Sequence, residues 1–183
     1  VVIMAAAIAG AVAQLRAQAL SNAIGVSGHW VIEVRNADGS LASRTEFRNH
    51  LTEQGAALLA RLMGRSASIG TWQISATGAR VTGGGALNVI ITEASNPPLT
   101  LSVPGPATVR LSGESRPTAA VDLREVATGL KECGGTIAAT DCARPARQGT
   151  DRPFSSTLLP SPIRVAANQT VQVQVDISFS PLP

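Results

Sequence analysis

The chain has 183 residues, 44% of them hydrophobic, and a formal net charge of +3; this length suits one domain with its own core plus a short appendage. Its basic residues are arginines scattered singly and one lysine, and aromatics make up only 3% of the chain. With no clustered cations to track phosphates and no aromatic platform to stack bases, composition argues against nucleic acid as a partner.

The first stretch differs from everything after it. Val1 to Ala13 is apolar without a break, and QLRAQALSNAI carries the segment on to Ile24. Alanine dominates and only Gly10 disfavours a helix appreciably. On a helical wheel Val1, Met4, Ile8, Val12 and Leu15 share one stripe, beside the small residues Ala5, Ala6, Ala9, Gly10 and Ala13, a pattern suited to helix packed on helix. Twenty-four helical residues would span about 36 Å, but the wholly apolar part covers only about 20 Å, short of the roughly 30 Å of bilayer hydrocarbon. Contact with a membrane is therefore expected only transiently, before assembly. A signal sequence is the competing reading: Ala17, Gln18 and Ala19 match an A-x-A cleavage pattern that would leave Leu20 as the mature start. The expected division is a helical assembly segment over 1–24 and a β domain over 25–183.

After Gly25 the period becomes two. HWVIEVR sets Trp30, Ile32 and Val34 against Val31, Glu33 and Arg35, and an Asp38-Gly39 pair marks a type I′ hairpin into LASRTEFR. That turn places Trp30 opposite Phe47, Ile32 opposite Thr45 and Glu33 opposite Arg44, with the aromatic pair inward and the ion pair outward. A helix follows, capped by Thr52, opened by Glu53, lined by Leu58, Leu59 and Leu62 and ended by Gly64. Gly55 in its first turn weakens it slightly. Further strands are predicted at Gly70 to Ala76, Leu87 to Glu93, Leu99 to Val103, Thr108 to Ser112, Ala119 to Val126, Phe154 to Leu159 and Thr170 to Ser180. Strands of this spacing, separated by Gly and Pro turns, imply a mainly β fold: an antiparallel immunoglobulin-like β-sandwich with an N-terminal apolar helix and one short internal helix.

Cys133 and Cys142 fall in a long connection read as loop from Lys131 to Pro153. With no further ligands nearby, they read as a disulfide in an oxidising compartment, with two free thiols as the alternative. Asn168, Gln169 and Thr170 form a glycosylation sequon. The acidic residues are dispersed, His50 lacks a nucleophile or carboxylate cluster, His29 and His50 lie far from the cysteines in sequence, and GGG at 83–85 lacks the lysine of a phosphate loop. The expectation is no catalytic site, no metal, no cofactor and no small-molecule substrate.

An apolar N-terminal helix joined to a disulfide-bearing β domain resembles type IV pilin-like subunits of the archaeal kind, on Val1 to Leu15 and the closing strand Thr170 to Ser180. Position 5 is Ala5, where bacterial type IV pilins carry glutamate. The resemblance implies an extracellular homopolymer, with helices packed in the filament core and β domains outside. The alternatives are a secreted or cell-surface binding module whose residues 1–19 are a signal sequence, and a strand-donating or virion appendage subunit.

Overall fold

A computed structural model of the chain describes residues 24–144 and 149–181. The elements in order are β1 (Ile24–Arg35), β2 (Leu41–His50), α1 (Glu53–Met63), β3 (Ala67–Arg80), β4 (Ala86–Thr92), β5 (Thr100–Gly105), β6 (Thr108–Ser115), β7 (Val121–Gly134), the single turn α2 (Ala139–Cys142), β8 (Thr150–Val165) and β9 (Thr170–Pro181). They form two antiparallel sheets, β2-β1-β9-β6-β5 and β4-β3-β7-β8. One hydrophobic cluster joins the sheets: Trp30, Ile32 and Val34 of β1, Leu111 of β6 and Val171 to Ile177 of β9 pack with Ile74 and Ala76 of β3 and Val126 and Leu130 of β7. The result is mainly β and sandwich-like, as the alternating periods require.

The first hairpin has the expected register, with Trp30 opposite Phe47, Ile32 opposite Thr45 and Glu33 opposite Arg44. The Trp30 and Phe47 rings stack at 5.9 Å, and Arg44 meets Glu33 at 2.8 Å on the outer face. Its turn is not type I′, which needs positive φ at two central residues. Only Gly39 has positive φ, at 84°. Gly39 N–H donates to the Asn36 carbonyl and Asn36 N–H to that of Ser40, while the Asp38 carboxylate accepts from Ser40. The register shifts between Val34 and Arg35, so a bulge absorbs the extra residue and leaves the pairing beyond it unchanged.

α1 begins and ends where its caps predict. Thr52 Oγ1 accepts from Gly55 N–H, a contact worth about 1 kcal/mol. At the other end Ser66 N–H bonds the Arg61 carbonyl and Arg65 N–H that of Leu62, the pairing of a Schellman cap. The left-handed position is filled by Arg65, φ 56°, and not by the preceding Gly64. Leu58 of α1 is fully buried, and the helix entry is tied to β8 by Thr52 N–H on the Phe154 carbonyl and a bridge from Leu51 to Ser155.

Later strands run longer than their alternation predicts. β7 continues to Gly134 and β8 starts at Thr150, so the two ends of the stretch read as a cysteine-bearing loop, 131–134 and 150–153, are strand. β8 also extends to Val165, with an irregularity where Leu123 and Glu125 of β7 face Ile163 and Leu158. Pro160 and Pro162 lie within that irregularity, on the edge strand of the sheet, and edges and bulges are settings in which a strand tolerates proline.

Candidate functional site

The assembly residues expected from sequence, Val1, Met4, Ile8, Val12 and Leu15, lie outside the described residues. Their attachment point does not. Ile24, assigned by sequence to the helical segment, is the first residue of β1, opposite Pro181, and is 69% exposed. Ser27 lies opposite His50, so the segment joins the domain at the end where β2 stops and α1 starts. Among the described residues every buried member of the hydrophobic core falls between Trp30 and Ile177.

Cys133 and Cys142 are bonded, with their Cα atoms 5.9 Å apart, inside the normal disulfide range. The bond fastens α2 to the end of β7, and both residues are buried. Asn168 is exposed in the turn between β8 and β9 with φ 69°, so the sequon asparagine is at the surface.

The outer faces of the two sheets differ in chemistry. On the β2-β1-β9-β6-β5 face, Glu33 accepts from Arg35 at 2.5 Å and from Arg44 at 2.8 Å. Arg44 also pairs with Glu46. The Arg35 hydrogen bond, reinforced by Arg44, holds the Glu33 carboxyl below its usual range against a smaller opposing effect of burial. Arg44 acts in the same way on Glu46. Arg35 Nε also donates to Gln172 Oε1 at 2.7 Å, which turns Gln172 Nε2 toward Glu114 at 3.0 Å. Further along, Arg110 and Asp176 form a two-point pair at 2.6 and 2.7 Å.

This network borders a groove of about 500 Å³ whose lining includes Val31, Glu33, Glu114, Gln172, Pro97 and Pro98. Its volume is in the range of small-molecule sites. It combines a proline wall with hydroxyls, amides and carboxylates, chemistry that suits hydrogen bonding. Sequence reasoning missed it for a physical reason: Glu33, Gln172 and Glu114 become neighbours only because β9 pairs with both β1 and β6, and no local signal encodes that pairing. Among the described residues no group of three or more His, Cys, Asp or Glu is placed to hold a metal ion, and no helix is long and apolar enough to cross a membrane.

The middle rows of the opposite outer face carry one charge, Glu125, and the row beyond them pairs Asp122 with Arg164 at 3.1 Å. One row across it runs Ile90, Ser75, Ala127, Ser156 and the next Asn88, Thr77, Glu125, Leu158. Ile90 and Leu158 at its two margins are 53% and 74% exposed. The first face thus holds a connected network of ion pairs, and the middle of the second holds mostly neutral side chains. No family model, curated protein or solved structure matches the chain.

Proposed function

We propose that the protein is a structural subunit of an extracellular filament, in which N-terminal helices pack together and the β domains lie outside. The observation that carries this reading is the contrast between a β domain whose core is built from residues between Trp30 and Ile177 and an apolar segment attached at its exposed end. Val1, Met4, Ile8, Val12 and Leu15 then find their burial between subunits, each contributing about 1.5–3 kcal/mol before ordering costs. The buried disulfide suits an oxidising, extracellular setting. In finer detail the domain is immunoglobulin-like: β4-β3-β7-β8 takes the order C′-C-F-G and β6-β5 the order E-D, with the last strand, β9, in the place of strand B.

Removal of Val1 to Leu15 tests the proposal. The expected product is a folded monomer by sedimentation that forms no filaments by electron microscopy; filaments like those of the intact chain overturn it. Gly10→Pro, which breaks a helix at its centre, is expected to have the same effect on assembly with the β domain intact.

The second reading, a secreted or cell-surface binding module with residues 1–19 as signal sequence, draws on the groove beside Glu114. N-terminal sequencing of native protein separates the two, because a chain beginning at Leu20 has lost the helical stripe.

A further inference from the structure

The edges of the two sheets are β2 and β5 in one and β4 and β8 in the other. An edge strand offers unpaired N–H and C=O groups to any second strand, and prolines, charges and irregularities are what keep such strands away. β2 carries Arg44, Glu46 and Arg48, β8 carries Pro153, Pro160 and Pro162, and β5 has Pro104 where its register shifts. β4 has none of these. Its sequence ALNVIIT is uncharged, its ladder with β3 runs without a shift from Gln73 opposite Thr92 to Ala79 opposite Ala86, and Ile90 is 53% exposed.

The backbone of β4 fixes which groups are free. Arg80 N–H donates to the Gly85 carbonyl at 3.0 Å, and opposed residues of an antiparallel ladder alternate between bonded and non-bonded pairs. Leu87, Val89 and Ile91 therefore bond to β3, while Ala86, Asn88, Ile90 and Thr92 turn their N–H and C=O groups to the open side. Thr92 is used there: its N–H donates to Ser95 Oγ at 2.8 Å, and its carbonyl accepts from Leu99 N–H at 2.8 Å. Among the described residues, none bonds the groups that Ala86, Asn88 and Ile90 present on that side.

We propose that the open edge of β4 is a two-fold interface, at which β4 of one copy pairs antiparallel with β4 of a second copy and Asn88 lies opposite Asn88. In this register Ala86 lies opposite Ile90, so every free N–H on either strand meets a free C=O on the other. Moving the centre to Val89 sets Ala86 against Thr92, whose groups are taken, and moving it to Leu87 sets Ile90 against Gly84, beyond the end of β4. The strand therefore complements itself: no like charges meet, amide faces amide at Asn88, and on the inner side Leu87 meets Val89 and extends the apolar face. Pairing joins the two four-stranded sheets into one and closes a dimer, because a two-fold contact uses the same patch on both copies. It goes beyond helix-mediated assembly and does not depend on it, since residues 1–23 take no part.

The test places single cysteines in the full-length chain, with Cys133 and Cys142 kept closed in their disulfide by leaving out reductant. Asn88→Cys is expected to give a covalent dimer with a short thiol-to-thiol cross-linker. Differently tagged Ala86→Cys and Ile90→Cys, mixed while dilute and then concentrated, are expected to cross-link to each other. Neither does so alone, since like positions then lie four residues apart, about 13 Å. No cross-link at Asn88→Cys, or equal yields from the mixed and the single variants, overturns the proposal. Adding Asn88→Lys to both chains of the mixed pair sets like charges opposite each other and is expected to cut the yield several-fold. Asn88→Lys on one chain with Asn88→Glu on the other is expected to restore it. Asn88 is exposed, so these changes leave the domain folded, and a yield indifferent to the charges, or a loss that the opposite pair does not restore, counts against the interface.

Discussion

Gly55→Ala sets helix propensity against packing, and the structure decides the sign. In the first turn of a helix alanine is favoured over glycine by up to about 1 kcal/mol. A Cβ at residue 55, however, would lie 2.1 Å from the Phe154 carbonyl oxygen and 2.8 Å from Leu51 Cδ1, so α1 or β8 must move by more than an ångström. That oxygen is held in place, accepting from Thr52 N–H at 3.0 Å and Thr52 Oγ1 at 3.1 Å. Overpacking of this kind costs about 1–3 kcal/mol, and weakening the two hydrogen bonds adds about 1 kcal/mol or more. The net expectation is a loss of about 1–3 kcal/mol, read as a lower urea midpoint at unchanged slope, or a Tm lower by roughly 2–12 °C. Ala56→Gly, at the exposed next position, is the control and costs about 1 kcal/mol by propensity alone. A Gly55→Ala protein as stable as the parent, or more so, would refute the close-approach argument.

Arg65→Gly is expected to stabilise by about 1 kcal/mol, because glycine adopts the left-handed cap position without strain; a loss measured by urea unfolding contradicts that account of the cap. Replacing Cys133 and Cys142 together with alanine opens a loop with a sequence separation of 9, and the chain-entropy relation puts the loss at about 2.6 kcal/mol. Equal midpoints for the variant and the oxidised parent argue against it. The Glu132 carboxyl is held low chiefly by its hydrogen bonds to Arg61, with Arg152 adding and burial opposing. A depressed folded value contributes stability that is present above the ordinary value of 4.5 and is lost as pH falls through the folded one. Glu132→Gln should therefore flatten the fall in stability below that pH, and an acid limb as steep as the parent's removes the carboxylate from the explanation.

What could be read from sequence follows the range of the forces involved. The β1–β2 register was legible because alternation and an Asp-Gly turn lie within twenty residues of each other. The N-cap of α1 was legible because Thr52 acts on its own turn, whereas the left-handed cap position was not, since Arg65 and not Gly64 takes it. The turn type was not, since the Val34/Arg35 bulge settles a competition between two local geometries. Nor was the reason for Gly55, which lies in a strand about a hundred residues away. Strand ends in β7 and β8 were read short because Gly129, Pro153 and Pro160 interrupt the pattern, while pairing across the sheet carries the strands past them. The groove beside Glu114 exists only once β9 is placed, and no short window contains that placement.

The position of β9 also bears on where the domain is vulnerable. Because β9 stands between β1 and β6, it is the shared neighbour of two hairpins that otherwise do not meet. Loss of a strand at an edge, such as β5, leaves the other ladders of that sheet in place. The exposed turn at 166–168 is therefore the point at which a single proteolytic cut separates the middle strand of the sheet from both strands that flank it.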